Sequence, residues 1–257
     1  MPLAPIPPAS RSADALCPNC ARILAASDSF CRHCGQRQEA RVPTLRTWLG
    51  EWLEEGFGLN ARIPRTLRAL LFHPGQLTSE WFAGRRVRYL NAFRLYLSCS
   101  VVMFGTAIAL RFVGEHWNFG YRPQGALADR TYAELARESV THALFLLVPL
   151  SAAWLRALFP RSGRVFIEHL VFSLHVHAFG FLAAAASFLM ILAPGGAARV
   201  LQPLCAAGVF VYLVLALRRV YETKLVWAVM QSALLLIVHG AAVLGLTLGL
   251  TALRHAQ

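Results

Sequence analysis

The sequence predicts an all-α polytopic membrane protein with about five transmembrane helices, a small N-terminal four-cysteine module and juxtamembrane amphipathic helices. Three observations predict it. Long apolar runs follow residue 92, four cysteines stand in two C-x-x-C pairs before residue 35, and helical apolar spacing fills the segment between. The chain has 257 residues, 56% of them apolar and 15% charged, against ~25% charged in ordinary soluble domains. Beyond residue 95 the charges gather in short segments between apolar runs, which is the composition of a membrane domain.

Residues 1–16 hold Pro2, Pro5, Pro7 and Pro8 and no continuous apolar stretch. They read as a disordered tail and not as a secretory signal. The next segment, 17–40, carries Cys17-x2-Cys20-x10-Cys31-x2-Cys34. Each C-x-x-C pair can form a tight knuckle aiming two thiolates at one point, and two knuckles complete a tetrahedral site. The spacing therefore predicts a zinc ribbon holding one structural Zn²⁺. Four cysteine ligands leave no position for substrate water, so the metal is expected to organise a fold and not to do chemistry. Pro18 stiffens the first knuckle, Gly35 suits a left-handed turn after Cys34, and Phe30 is expected to supply apolar packing. Arg22, Arg32 and Arg37 can offset the site's negative charge, and His33 is expected to be exposed. Cys99 and Cys205 lie far away in apolar runs and read as small buried hydrophobes.

Residues 41–92 read as cytosolic juxtamembrane helices. Leu45, Trp48, Leu49, Trp52 and Leu53 share one helical stripe, with Thr44 as N-cap. Such a stripe suits either the lipid headgroups or the protein's own membrane domain. A second helix is expected to carry Pro64 in its first turn and to stop at His73-Pro74-Gly75. A third, over about 76–83, should end at Gly84. Arg85, Arg86 and Arg88, with Tyr89, precede the first apolar run. They read as a cytoplasmic anchor, and more sharply as a contact for anionic lipid, because Arg forks grip phosphate oxygens.

The membrane domain, 93–257, has apolar runs over about 93–113, 139–159, 170–193, 200–217 and 225–250. Each approaches the ~20 residues a span needs. With the N-terminus inside, cytoplasmic flanks hold Arg85, Arg86, Arg88, Arg94, Arg156, Arg161, Arg164, Arg218, Arg219 and Lys224. The other side has Arg111, Arg122, Arg130, Arg137, Arg199 and Arg254. That asymmetry favours a cytosolic N-terminus and a periplasmic or extracellular C-terminus. It also accounts for the net charge of +12 through loops facing anionic lipid, which argues against a nucleic-acid partner. Heavy Arg and Ala usage points to a GC-rich bacterial genome, hence a bacterial inner membrane. Ala241, Gly245 and Gly249 space small residues for close helix approach, within the chain or in a homo-oligomer.

The polar residues inside the spans are the candidate intramembrane site: Glu168, His169, His175 and His177. At 100° per residue Glu168 and His175 share one face, while His169, Ser173 and His177 cluster on another. Counting from residue 170, His175 and His177 fall about 8 and 11 Å into the membrane, with His142 and His239 nearer the far side. The plain reading is hydrogen bonding between helices. The sharper ones are a proton or ion pathway and a metal or haem site. No P-loop, G-x-S-x-G, H-E-x-x-H or dinucleotide fingerprint occurs, and no catalytic set is complete.

Several of these pieces together resemble a bacterial membrane-protein family catalogued as a domain of unknown function (the 3667 type). The shared plan is a C-x-x-C, here Cys17 to Cys20, then F-C-x-x-C-G-Q over 30–36 and T-L-x-x-L-L-x-x-P-G over 66–75. The motifs G-[KR]-R-x-R-Y over 84–89 and E-H-x-x-F-x-x-H-x-H over 168–177 complete it. One departure is Asn91-Ala92-Phe93, where relatives read Asn-Pro-Phe, so the turn there lacks its proline. The resemblance covers residues 17 to about 180 and implies no activity. The expected function is that of a non-enzymatic membrane protein whose zinc ribbon is an interaction or assembly module for a cytosolic partner. The alternative is a small transporter or membrane enzyme working through residues 168–177.

Overall fold

The structure, a computed structural model, describes residues 16–25, 29–37, 62–117, 146–193 and 196–255. Among them are seven α-helices: α1 (Arg62–Phe72), α2 (Gln76–Phe82), α3 (Ala92–Trp117), α4 (Leu146–Leu158), α5 (Phe166–Leu189), α6 (Ala198–Tyr221) and α7 (Leu225–His255). Four stretches are long and apolar enough to cross a membrane: Ala92–Leu110, Phe166–Leu192, Ala198–Tyr221 and Leu225–Ala242. The described part of the second expected run, α4, spans only about 20 Å at 1.5 Å per residue. The rest of that run, like the expected helix through Trp48 and Trp52, lies outside the described residues. The described count is therefore four, against an expected five.

Two apolar clusters hold the bundle. In the first, Leu95, Tyr96, Cys99 and Met103 of α3 bury against Val171, Leu174, Ala178 and Phe181 of α5. Residues 95, 99 and 103, with 96 beside them, and 171, 174, 178 and 181 recur at three- or four-residue steps, the spacing of a single helix face. Leu70 of α1 and Leu77 and Trp81 of α2 close the same cluster from the side. In the second, Leu213, Ala216, Leu217 and Val220 of α6 meet Leu155, Phe172, Ala228 and Leu235. The opposite faces expose Val101, Ile108, Phe112, Val211, Met230 and Ile237. Water would penalise that much uncovered apolar surface, whereas lipid tails accept it.

The short helices before the bundle follow the expected punctuation. Pro64 sits in the first turn of α1, and Thr66, fully buried, ties the segment together. Its hydroxyl donates to the Arg62 carbonyl at 2.7 Å and accepts the Leu90 N–H at 3.0 Å. Gly75 then turns the chain with φ 76°. A Cβ there would lie 3.0 Å from the Ala216 carbonyl oxygen and 3.2 Å from the Ala216 Cα. Glycine is thus required twice, for its backbone angle and for contact with α6. The turn expected from a proline at position 92 is made by Asn91 instead. Its side-chain oxygen accepts the Phe93 N–H at 3.0 Å and caps α3.

Candidate metal centre and intramembrane polar site

The four cysteines are built by two copies of one local motif. The N–H of Cys17 donates to the Arg22 carbonyl, and Ala21 donates back to Cys17, each at 2.8 Å. Cys31 and Gln36, with Gly35 to Cys31, repeat the pattern at the same distances. Antiparallel bridges Leu16 to Ile23 and Phe30 to Arg37 flank the two turns. The turn residues Ala21 and Gly35 take φ 57° and 73°, the left-handed geometry expected at Gly35.

This geometry brings the four sulfurs within 4.8 Å of one another. Cys17 Sγ lies 3.7 Å from Cys34 Sγ, and Cys20 Sγ lies 3.6 Å from Cys31 Sγ. A tetrahedral ion with metal–sulfur bonds of about 2.3 Å separates its sulfurs by about 3.8 Å. A disulfide needs about 2.05 Å. The donor set therefore fits a metal ion and not a pair of cystines, and none of the four cysteines is in a disulfide. Backbone N–H groups of Cys34 and His33 hold the Cys31 thiol down to about 7. Cys20 moves the other way. Against a lowering backbone hydrogen bond at Arg22, burial and the neighbouring sulfurs push it up to about 12. Thiolates this close repel, and a cation is what lets all four ionise together.

The apolar filler of the module differs from expectation. Leu24 is buried beside Cys17 and Cys31, while Phe30 is 54% exposed. Phe30 lies instead beneath the Arg37 guanidinium, 5.9 Å from ring to charge. The antiparallel bridge that pairs Phe30 with Arg37 turns the ring outward. His33 is exposed, as expected.

The module sits on the turn leading into α3. The Gln36 amide donates to the Gly84 carbonyl at 2.6 Å, and its oxygen accepts the Arg86 N–H at 3.3 Å. In that turn the three candidate lipid-binding arginines are differently engaged. Arg85 forks onto Glu80 with bonds of 2.6 and 2.7 Å. This bond, reinforced by the charges of Arg88 and Arg219, holds the Glu80 carboxyl below its ordinary range despite partial burial. Arg86 lies 4.4 Å over the Trp81 ring. Arg88 is the exposed member, 5.9 Å from the Tyr89 ring.

The intramembrane candidates are brought to four different partners. Glu168 accepts the Val165 N–H at 2.9 Å and lies 3.7 Å from Arg164, so it caps the start of its own helix. Arg164 itself covers the Phe82 ring at 4.0 Å. His169, fully buried, bonds the Tyr221 hydroxyl at 2.7 Å. His175 bonds the Thr78 hydroxyl of α2 at 2.9 Å. His177 reaches His239 of α7, with the Nε2 atoms 3.3 Å apart. Glu168 and His175, placed on one face by periodicity, are thus each occupied elsewhere.

The depth expected for His177 and His239 is corrected. Helix α5 begins at Phe166, four residues before the apolar run taken as its start. That puts His177 about 16–17 Å along its helix. His239 is about 21 Å along α7 by the same rise, so the two meet instead of facing opposite leaflets. Thr78, Ser151 and Tyr221 were not among the candidates. No motif surrounds them, and each acquires its polar partner only through tertiary packing. Ala241 and Gly245 are exposed, so the described part of that small-residue stripe faces outward.

The described residues define an α-helical protein with, among them, four helices able to cross a membrane and a four-cysteine cluster positioned to bind a metal ion. Over residues 60–104 the chain is similar to the family described as protein of unknown function (DUF3667). That stretch comprises α1, α2, the arginine turn and the first part of α3. The cysteine module and residues 168–177 fall outside it. No curated protein and no solved structure matches the chain.

Proposed function

We propose that this chain is a multi-pass protein of the bacterial inner membrane whose N-terminal cysteines form a zinc ribbon holding one structural Zn²⁺ and acting as a cytosolic assembly module. The observation that carries the reading is the closed set of four sulfurs within 4.8 Å. All four positions are protein thiolates, so the ion shapes the chain and offers no site for a reacting water. The contact of Gln36 with Gly84 and Arg86 supports an assembly role. It joins the module to the turn that starts the first span, so a metal-organised unit is held at the start of the membrane domain. A cytosolic protein partner, or a second copy of the chain, would engage that metal-organised unit. Arg88, exposed beside it, is the residue best placed to meet an anionic lipid headgroup.

Metal analysis of the full chain, purified reduced in detergent, tests the reading. Cys31→Ser should remove one zinc equivalent and release any protein that co-purifies through the module. A cysteine module without zinc in freshly reduced protein would sink the assignment. The alternative, a transporter or membrane enzyme working through residues 168–177, loses its simplest form. Glu168, His169 and His175 have separate structural partners, whereas His177 faces a second imidazole, that of His239.

A further inference from the structure

The histidine pair between α5 and α7 has a shortage of hydrogens. His177 Nδ1 lies 2.7 Å from the Ser173 carbonyl, and His239 Nδ1 lies 2.6 Å from the Leu235 carbonyl. A carbonyl oxygen only accepts, so both Nδ1 atoms carry the ring hydrogen. Both Nε2 atoms of the neutral rings are then bare lone pairs, and they face each other at 3.3 Å. The third neighbour does not resolve this. Ser151 Oγ lies 2.9 Å from His239 Nε2 and 2.5 Å from the Leu147 carbonyl. Its single hydrogen can serve one of them. Three electron-rich atoms therefore share at most one hydrogen, at a half-buried position between α5 and α7, where unsatisfied polar atoms are costly.

We infer that His177 and His239 form a second metal site, taking a divalent transition-metal ion of the zinc class through their two Nε2 atoms, with Ser151 Oγ beside it. Two imidazole nitrogens bound tetrahedrally, at about 2.0–2.1 Å each, stand about 3.3–3.4 Å apart. The observed separation matches. Nitrogens bound on opposite sides of one ion would stand about 4 Å apart, so the geometry fits neither a linear ion nor a haem held between the rings. The fixed Nδ1–H to carbonyl bonds are the outer contacts that orient metal-binding imidazoles and raise their basicity. The ring of Tyr96, fully buried, packs edge-on against His177 at 6.5 Å and limits its movement. Imidazole suits Zn²⁺, Co²⁺, Ni²⁺ and Cu²⁺. Two protein nitrogens leave coordination positions open, which distinguishes this site from the closed cysteine cluster and suits reversible binding of the ion.

Co²⁺ titration of the full chain in detergent, with the cysteine module already loaded with Zn²⁺, tests the inference. The wild type should take up one further equivalent with the visible absorption of a tetrahedral nitrogen and oxygen set, lacking thiolate charge-transfer bands. His177→Ala and His239→Gln should each abolish that equivalent while keeping the module's zinc. Cys31→Ser should lose the module's zinc and keep the second site. If the wild type binds no further cobalt, or binds it equally in both histidine variants, the inference is overturned. A pair that only shares a proton gives that result. The wild-type titration decides the matter even if a variant fails to fold.

Discussion

The cysteine module and the histidine pair both present metal-type ligands, but they are made in opposite ways. The module's ligands come from a chain segment in which the outermost are 17 residues apart. Its interior is little more than Leu24 and the sulfurs. Such a unit has too little core to fold alone, and an ion held by the four thiols would supply its shape. The histidines are 62 residues apart on two helices. Each is oriented by its own helix through a carbonyl one turn back. The pair therefore keeps its geometry with or without an ion, because the packing of the bundle sets it. A site made by local chain depends on its metal, whereas a site made by packed helices depends on the fold.

If that contrast holds, damage to the bundle should leave the module's metal untouched. Gly75 is where to test it. Alanine there must adopt a left-handed backbone, costing about 1–2 kcal/mol. Its Cβ must also push against the backbone of Ala216, 3.0 Å away, and overpacking of this kind adds about 1–3 kcal/mol. Gly75→Ala should therefore lower the stability of the membrane domain by about 2–5 kcal/mol. Unfolding in detergent would measure it, with metal bound by the cysteines still at wild-type stoichiometry. Loss of that metal together with the bundle would show the two regions to be one cooperative unit.

The junction between the regions offers a smaller effect. Arg85 holds the Glu80 carboxyl below its ordinary range. A carboxylate with a depressed folded pKa contributes stability that is present above its unfolded value, about 4.3. That contribution is lost as pH falls through the folded value. The Arg85 side chain is 37% exposed, so solvent screens the pair and the effect should be about 0.5–1 kcal/mol. Glu80→Gln should destabilise the protein by that amount at pH 7. Near pH 3 the difference should shrink, since acid removes the same charge from the wild type. A gap that stays constant with pH would mean that the glutamate acts by packing and not by charge.

What could be read from the residues follows the same division. The cysteine spacing specifies its site because both knuckles are local turns. The helix stops at Pro74-Gly75 and Gly84 are readable for the same reason. The four described helices able to cross a membrane follow from unbroken apolarity. Span ends are harder to place, because Phe166 to His169 mixes apolar and charged residues and the helix begins before the apolar run does. That shift of four residues put His177 and His239 at different expected depths. Their meeting, like that of His175 with Thr78 and His169 with Tyr221, depends on how helices rotate against one another. One sequence carries no signal for that rotation. Periodicity correctly separated His175 from His177, but it paired Glu168 with His175 when each has a nearer partner.

The smallest expected effect lies within the module and compares its two halves. The turns after Cys20 and Cys34 make the same hydrogen bonds and the same left-handed backbone, yet one uses Ala21 and the other Gly35. Alanine at φ 57° is strained by about 1–2 kcal/mol relative to glycine. Glycine, in turn, loses about 0.5–1 kcal/mol more backbone entropy on folding. The net gain for Ala21→Gly should be about 0.5 kcal/mol. Folding of the module and binding of its ion are one process, so this gain appears as affinity. A tenfold change corresponds to about 1.4 kcal/mol, and the variant should therefore bind the module's metal about twofold more tightly. Competition with a chromophoric chelator reads such a change directly. Unfolding of the membrane domain should not move. An unchanged or weaker affinity would mean that the two knuckles are not energetically equivalent, and that the alanine at position 21 makes a contact that offsets its strain.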